Sequence, residues 1–481
     1  MLLSKLFKGA PDLEIDQLSI DSRHSMKNAI FFCLDGIKYD GHDYIDEAIK
    51  NGAKVIVYSK DIQDKQKAIY IKVPNVSATL TKAANIFYNY PNEGIEKYVV
   101  LGNYGRSSVT SFINEYINSV SSCGYIGILG IRYNGLELNS SFTTLNILDN
   151  LKMLDTMKKN GVKACTFEAD AASLNLRKLD SISPEYVIYT CTNRNSSEFQ
   201  ANDYYTYTRR YLYTLENDTK LILNTDDESF EELYDTMDSY ISYGTKENAD
   251  YRIIDVQISS SGVSYKLIHG IIAYNVSSKV QGMVNVYNLT AAIVALLSQG
   301  YDPESVITFM RNVPYVEGVM EKVDRSYNVI VDCAYDTNSI EEIFKYADFI
   351  KHRNRAIGVI SINYSDGDKR LARIMDLCNR YLDVAILTEN ESLEASVMEI
   401  LERCNRYEYN GRILYMPQRS SAIENAIEIM NTNDIVLIIG KGNERFLSMG
   451  LGKEFYYGDR YYAAKFIEKR RREENETVEV Y

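Results

Sequence analysis

A short segment near residue 100 combines the residue types and the spacing of a phosphate-binding loop. An apolar run over residues 99–101 leads into Gly102-Asn103-Tyr104-Gly105-Arg106-Ser107-Ser108. In such a loop, glycines let backbone N–H groups converge on phosphate oxygens, a lysine adds positive charge, and the next hydroxyl holds Mg²⁺. Here an arginine replaces the lysine, and its wide planar group is not a conservative replacement in a tight loop. The segment alone is weak evidence, because an ordinary strand–turn–helix also fits it.

Length, composition and charge narrow the class of protein. A chain of 481 residues exceeds what one hydrophobic core usually holds, so we expect about two to four domains. With 45% apolar and 25% charged residues, the composition is typical of a globular protein. The net charge of −13 argues against nucleic acid as a partner. We interpret the 40 tyrosines, found with no tryptophan, as compositional bias rather than as a stacking surface.

Apolar runs and cysteines indicate the cellular compartment of the protein. The longest apolar runs, such as Ile435–Ile439, are far too short to cross a bilayer, so no membrane insertion is expected. The first residues lack the long apolar core of a signal peptide. The seven cysteines are scattered and form no CxxC pair, which is typical of reduced thiols. We therefore expect a cytoplasmic protein.

Turn-forming residues divide the chain into three parts. Residues 91–94 are polar and contain both proline and glycine, and a second boundary falls near residues 314–319. These boundaries predict three domains, which comprise residues 1–95, 96–313 and 314–481.

Strands and helices are predicted to alternate in each part. Continuous apolar runs at residues 164–168, 186–190 and 220–224 are typical of a parallel sheet that is covered on both faces. Period-two alternation over residues 251–268 predicts an antiparallel hairpin. The last third repeats the alternation and predicts a small doubly wound domain. The predicted fold class is α/β.

Short matches in a fixed order along the chain point to one family. They include Asp21-Ser22-Arg23, Asp40-Gly41-His42, Glu168 after a strand, Asn285-Val286-Tyr287-Asn288, and Gly440-Lys441-Gly442 with Glu444. In this order the sequence resembles the Mur ligases, which join amino acids to a nucleotide-linked muramoyl peptide. It is most similar to the branch that adds the third residue, to UDP-N-acetylmuramoyl-alanyl-glutamate. Many small matches in the right order are far more specific than any one of them.

The resemblance implies a three-domain architecture and a sequential reaction. Residues 1–95 would form a UDP-sugar domain, residues 96–313 a P-loop ATPase-like domain, and residues 314–481 a Rossmann-like domain. In the family, ATP phosphorylates the peptide carboxylate, an incoming amine attacks the acyl phosphate, and phosphate leaves. The cofactors implied for an active enzyme are therefore ATP and Mg²⁺, and the implied small-molecule partner is a UDP-MurNAc-peptide.

The resemblance also assigns candidate roles to individual residues. Those at the nucleotide are Gly102, Asn103, Gly105, Arg106, Ser107, Ser108, Asn288 and Asp332. Those at the substrate are Ser22, Lys38, Thr143, Thr144, Asp170, Lys178, Asn390, Gly440 and Glu444. The metal-binding positions match Ser107 and Glu168, and the catalytic ones match Arg106, Glu168 and Arg209. Next to Ser22, Asp21 and Arg23 fit a structural ion pair as well as a ligand contact.

Several residues that carry the chemistry of the family are replaced in this chain. Arg106 stands where the family has its loop lysine. Asp170 replaces a small neutral substrate contact, and the histidine that follows in the family is absent. The lysine whose carbamate bridges a second metal corresponds to Arg209, and a guanidinium, which stays protonated, cannot form a carbamate. Two further arginines of the family correspond to Met283 and Val319.

Two functions remain open from the sequence. The first is a Mur ligase paralogue with lost or weak ligase activity, which needs no cofactor and acts as a binding or regulatory scaffold for a peptidoglycan precursor or another cell-wall enzyme. The second is an active ATP-dependent amide ligase, in which Arg106, Ser107 and Glu168 hold ATP and Mg²⁺. Losing one charge-stabilising donor typically costs about a hundred- to a thousandfold in rate. Because several such groups are replaced together, we favour the first.

Overall fold

A computed structural model describes the chain except at residues 25, 37–38, 63–66, 139–143, 191–200, 217, 352–353, 363–365, 390, 393–396, 408, 443, 450–451 and 479–481. Three main sheets follow one another along the sequence, and helices pack on each of them. The α/β class predicted from the sequence is confirmed. The predicted domain bounds, residues 1–95, 96–313 and 314–481, stay predictions.

The first sheet is small and entirely parallel. Its strands pair in chain order and are β1 (Gln17–Ser19), β2 (Ala29–Phe32), β3 (Ala53–Tyr58) and β4 (Ile69–Lys72). The helices of this part are α1 (Leu3–Leu6), α2 (Ile45–Lys50) and α3 (Val76–Phe87), and a 3₁₀ turn spans Gly41–Tyr44. Every residue of β2 is buried, as expected for a parallel strand that is covered on both faces.

The second sheet has eleven strands in the part of the chain that the structure describes. In chain order they are β5 (Glu96–Leu101), β6 (Cys123–Gly127), β7 (Gly130–Tyr133), β8 (Leu136–Leu138), β9 (Ala164–Glu168), β10 (Tyr186–Tyr189), β11 (Lys220–Asn224), β12 (Tyr240–Gly244), β13 (Tyr251–Ser259), β14 (Gly262–His269) and β15 (Ile272–Ser278). Their order across the sheet is β15-β14-β13-β12-β11-β10-β5-β9-β6-β7-β8. The central strands are parallel, so their carboxyl ends lie at one edge of the sheet.

Among the described residues, seven helices accompany the second sheet. They are α4 (Arg106–Val120), α5 (Ile147–Lys159), α6 (Ala171–Asn175), α7 (Ala201–Leu212), α8 (Phe230–Leu233), α9 (Met283–Gln299) and α10 (Pro303–Met310). Helix α9 is buried along most of its length and packs against α4 and the sheet, because its residues are apolar on almost every face. This packing fixes the start of α4 relative to the strand that precedes it.

The predicted antiparallel hairpin at residues 251–268 is confirmed by the pairing of β13 with β14. The structure adds a third antiparallel strand, β15, which was not predicted. Exposed and partly exposed residues make up most of β15, so its sequence lacks the alternating apolar pattern of a half-buried strand.

The third sheet has six strands. In chain order they are β16 (Glu321–Lys322), β17 (Asn328–Asp332), β18 (Ala356–Ser361), β19 (Val384–Thr388), β21 (Arg412–Tyr415) and β22 (Ile435–Ile439). A separate small sheet consists of the short strands β20 (Glu391–Ser392), β23 (Phe446–Met449) and β24 (Gly452–Phe455). Across the six-stranded sheet the order is β16-β17-β22-β18-β19-β21, and neighbouring strands are parallel except β16 and β17, which are antiparallel. The helices are α11 (Thr337–Lys351), α12 (Asp368–Tyr381), α13 (Val397–Cys404), α14 (Arg419–Ile429) and α15 (Asp459–Val478).

A fully buried ion pair joins α14, α15 and the third sheet. Arg419 Nε and Nη2 donate to Asp459 Oδ1 at 2.7 Å and Oδ2 at 2.6 Å, and both side chains are almost completely enclosed. The remaining donors of Arg419 reach Ser361 Oγ at 2.6 Å and the Ile439 carbonyl at 3.1 Å. The Tyr456 hydroxyl donates to Asp459 Oδ1 at 2.7 Å. Both charges are thus hydrogen-bonded, as a buried ion pair requires.

Candidate functional site

Three neighbouring parallel strands of the second sheet carry the candidate site at their carboxyl ends. Strand β5 leads into Gly102, β9 ends at Glu168, and β10 leads into Thr190. Since β5 lies between β9 and β10, these ends meet at one edge of the sheet, where ligands of open α/β sheets bind.

The segment 102–105 forms a tight loop between β5 and α4. Gly102 and Gly105 have φ values of +117° and +74°, a backbone conformation that favours glycine. A Cβ atom on Gly105 would lie 2.1 Å from Asn288 Oδ1, so a larger residue at 105 would also collide with α9. Helix α4 begins at Arg106, directly after the loop. The backbone therefore has the strand–loop–helix layout that the sequence predicts, with Asn288 packed against it.

The polar groups of the loop are engaged by other parts of the chain. The Gly102 N–H donates to the hydroxyl of Tyr204, a buried residue of α7, at 2.7 Å. The Arg106 guanidinium folds back and donates through Nη1 to the carbonyls of Gly102 and, at 3.3 Å, of Asn103. The Thr190 hydroxyl donates to the carbonyl that precedes the loop at 3.0 Å. The Thr190 hydroxyl also donates to the Tyr104 carbonyl, so the Gly102 N–H and three carbonyls of the loop are already hydrogen-bonded.

Glu168 is buried at the floor of the site and is held by hydroxyl groups. Ser107 Oγ donates to Glu168 Oε2 at 3.0 Å, and the Tyr125 hydroxyl donates to Oε1. Burial raises the pKa of the Glu168 carboxyl, while Tyr125, Arg106 and Ser107 oppose this shift. Burial also raises the pKa of Tyr125 well above its usual value, so this tyrosine remains a neutral donor.

Ser107 and Glu168, which match metal-binding positions, are in direct contact. Mg²⁺ binds oxygen ligands in a near-octahedral arrangement and needs free lone pairs on them. In this structure, both carboxylate oxygens of Glu168 already accept a hydroxyl hydrogen bond, from Ser107 and Tyr125. Each of these oxygens keeps a second lone pair, and the Ser107 hydroxyl can coordinate a metal through its oxygen while it donates its proton, so the residues present fit a bound Mg²⁺.

A second group of candidate residues lies beside Glu168. The Thr144 hydroxyl donates to the Glu168 carbonyl at 2.6 Å, and Lys178 Nζ donates to the Thr144 carbonyl at 3.0 Å. Burial lowers the pKa of Lys178, and the charge of Asp170 opposes that shift. Asp170 also caps α6, where its Oδ1 accepts the N–H of Ser173 at 2.7 Å. The structure therefore brings together three predicted substrate residues, Thr144, Asp170 and Lys178.

The third sheet contributes Asp332 and Gly440. Asp332 is the last residue of β17, and its carboxylate accepts the N–H groups of Met320 and Ala334, both at 2.6 Å. Burial raises the pKa of the Asp332 carboxyl to about 6. The Gly440 N–H donates to the Asp332 carbonyl at 3.0 Å. Both carboxylate oxygens of Asp332 thus accept backbone N–H groups, and the hydrogen bond from Met320 positions the turn at that residue.

The remaining predicted site residues have local partners. The buried Ser22 hydroxyl donates to Glu47, and the exposed Glu444 pairs with Lys441 at 2.8 Å. Arg209 Nη2 donates to the Tyr213 hydroxyl at 3.4 Å, a contact that raises the pKa of Arg209 further. These contacts neither support nor oppose a ligand role. Lys38, Thr143 and Asn390 lie outside the described residues.

The ion pair between Asp21 and Arg23 is present. Arg23 Nε and Nη2 donate to Asp21 Oδ1 at 2.9 Å and Oδ2 at 2.7 Å, and this contact lowers the pKa of Asp21 to about 2. Both open alternatives, a structural pair and a ligand contact, remain compatible with this geometry.

Three tyrosines at the site were not predicted from the sequence. Tyr125 contacts Glu168, Tyr204 contacts the loop, and the hydroxyl of Tyr104 donates to Asp336 Oδ1 at the start of α11. With 40 tyrosines in the chain, the abundance of this residue does not single out these three. The sequence offered no means of pairing each tyrosine with its distant partner.

Comparison with known proteins gives one family for all three parts of the chain. Residues 14–88 match the family model described as Mur ligase family, catalytic domain, residues 100–296 match the Mur ligase middle domain, and residues 319–442 match the Mur ligase, glutamate ligase domain. The chain belongs to the Mur ligase family.

Relatives of known name match almost the whole chain. A UDP-N-acetylmuramoyl-L-alanyl-D-glutamate–2,6-diaminopimelate ligase of Clostridioides difficile is 28% identical over 96% of this chain and 97% of its own. The ligase of the same name from Fusobacterium nucleatum is also 28% identical, over 96% of each chain. UDP-N-acetylmuramyl-tripeptide synthetase 2 of Oceanobacillus iheyensis is 28% identical over 90% of each chain.

Solved structures share the fold. A UDP-N-acetylmuramoyl-L-alanyl-D-glutamate–2,6-diaminopimelate ligase superposes with a TM-score of 0.70 at 19% identity, covering 98% of this chain and 99% of the other. MurF ligase from Thermotoga maritima, in complex with ADP, gives a TM-score of 0.63 at 14% identity, covering 96% and 99%. The three-domain architecture implied by the resemblance is therefore confirmed. Among the described residues, no helix is both long and apolar enough to cross a membrane.

Proposed function

We propose that this protein acts in peptidoglycan precursor metabolism by binding a UDP-MurNAc-peptide, with ligase turnover that is lost or very weak. It would serve as a binding or regulatory scaffold, with another cell-wall enzyme as its candidate partner. The observation that carries this proposal is the engagement of the nucleotide loop by the chain itself, through Arg106 and Tyr204. Relatives named as ligases of UDP-MurNAc-dipeptides support the substrate class.

The chemistry of amide formation supports the same conclusion. An acyl-phosphate mechanism depends on cations and a metal that neutralise the charge of the transferred phosphoryl group. In this chain the loop cation donates to the carbonyls of its own loop. Arg209 cannot provide a carbamate. The groups that would stabilise the transition state are thus replaced or already engaged, while the scaffold around them is kept.

A second candidate function is an active ATP-dependent amide ligase. It is favoured by one observation, the direct contact of 3.0 Å between Ser107 and Glu168, the two residues that match metal-binding positions. For this function, Arg106 would have to turn from the loop carbonyls towards phosphate. Saturable ATP binding and phosphate release would be its signature.

Calorimetric titration of UDP-MurNAc-dipeptide into the nucleotide-free protein tests the proposal. We expect binding without ATP, and we expect Lys178→Ala to weaken it about tenfold or more, because a charge-assisted hydrogen bond contributes about 1.5–3 kcal/mol. Lys152→Ala is the matched control, since Lys152 is an exposed lysine of α5. No binding by the wild type, or equal binding by Lys178→Ala and the wild type, would contradict the proposed ligand site.

A further inference from the structure

Helix α11 of the third sheet is tied to the central part of the chain at two points. At its start, the Tyr104 hydroxyl from the nucleotide loop donates to Asp336 Oδ1. In its third turn, the Tyr346 hydroxyl donates to Gln281 Oε1 at 2.7 Å, just before α9. Both contacts join parts of the chain that are far apart in sequence, and both depend on a tyrosine hydroxyl.

The groups on either side of these contacts are themselves held in place. Asp336 accepts the N–H groups of Asn338 and Ser339, both at 3.1 Å, and so caps α11. Gln281 is buried, and its Nε2 donates to the Ser260 carbonyl at 2.6 Å. Because these side chains are already fixed, forming the hydrogen bonds costs little side-chain entropy. The bonds therefore favour one arrangement of the two parts.

The connection between the two parts is also restrained. The Gly318 N–H donates to Glu321 Oε2 at 2.8 Å, and the Met320 N–H donates to Asp332 Oδ2 at 2.6 Å. Met320 has a φ of +42°, which is rare for a residue with a side chain. A connection fixed in this way does not act as a loose tether between the parts.

We propose that Tyr104 and Tyr346 form a latch that keeps α11 closed against the nucleotide loop when no nucleotide is bound. Tyr104 lies within the loop itself, between its two glycines, so the loop contacts α11 through a side chain of the protein. Both hydrogen bonds of the latch are made by side chains of the protein, so the latch needs no ligand to join the two parts. This inference goes beyond the proposed function and does not require it, because a closed cleft and the binding of a UDP-sugar are separate properties.

Small-angle X-ray scattering of the full-length protein tests the latch. The nucleotide-free wild type is expected to match the scattering of the closed structure, and Mg²⁺-ATP is expected to leave its radius of gyration unchanged. The double variant Tyr104→Phe/Tyr346→Phe removes only two hydroxyls and is expected to give a larger radius of gyration. Each hydrogen bond is expected to change the closed-to-open ratio by about tenfold, as is typical for one to a charged or buried partner.

Tyr409→Phe is the matched control, because its hydroxyl donates to the Leu382 carbonyl at 3.0 Å within the third part of the chain. It should scatter like the wild type. If the double variant does not fold, by circular dichroism, the single variant Tyr104→Phe is expected to show an intermediate radius. A wild type that is expanded without nucleotide, or a folded variant as compact as the wild type, would overturn the latch. The UDP-MurNAc-dipeptide titration of the wild type fails or succeeds independently of this result.

Discussion

Phosphate release from ATP by the purified protein is expected to be at least about a thousandfold slower than that of a Mur ligase with a lysine in its loop. The assay contains Mg²⁺, UDP-MurNAc-dipeptide and a panel of amino acids. The deficit is expected because Arg106 donates to the loop carbonyls and because Arg209 cannot form a carbamate. Groups that act as a unit are not additive, so the loss of several costs about as much as the loss of the most important one.

Arg106→Lys restores the loop cation and serves as the diagnostic variant. We expect it to recover less than about tenfold in phosphate release, because Tyr204 still engages the Gly102 N–H and Arg209 still cannot form a carbamate. Lys152→Arg, a change between the same residue types on the surface of α5, is the control. Full recovery of phosphate release in Arg106→Lys would contradict this prediction, because it would show that the arginine alone abolishes the activity of an otherwise intact site.

Replacing Asp459 by asparagine is expected to destabilise the third part of the chain by about 3–5 kcal/mol. The variant leaves the guanidinium of Arg419 buried without its counter-charge, among groups that are enclosed almost completely. Hydrogen exchange measured by mass spectrometry, on peptides that cover β18 and β22, reports this change locally. It avoids the need for a single unfolding transition in a multidomain protein.

The control for this prediction is an exposed ion pair in the same part of the chain. Arg445 Nη2 and Glu317 Oε1 are 2.7 Å apart, with half of the arginine side chain exposed, so Glu317→Gln is expected to cost less than about 1 kcal/mol. Equal exchange rates for Asp459→Asn and Glu317→Gln would show that the buried pair does not hold α14 and α15 to the sheet.

Much of the fold could be predicted from the sequence, because its signals are local. The glycine pair after an apolar run placed the loop between β5 and α4, and continuous apolar runs marked β9, β10 and β11. Strand β15 was missed because it is mostly exposed and carries no regular alternation. Turn-forming residues predict the division into three parts, and the family-wide matches supply the architecture expected for each part.

The contacts that define the site could not be predicted in the same way. Tyr125, Tyr204 and Tyr104 are separated from their hydrogen-bond partners by 43, 102 and 232 residues. A motif describes residues at short spacing, so it carries no information about side chains that arrive from another strand or another domain. The replacement of chemical groups was visible in the sequence, but the groups that engage the loop were not.

Calorimetric titration of Mg²⁺-ATP into the nucleotide-free protein tests most directly whether the side chains that hydrogen-bond to the loop prevent ATP from binding there. Because Tyr204 and Arg106 hydrogen-bond to Gly102, we expect no saturable heat of binding up to about 1 mM ATP. A dissociation constant above about 1 mM corresponds to a binding free energy of less than about 4 kcal/mol. Saturable binding below that concentration, abolished in Arg106→Ala, would contradict the account and favour an active ligase.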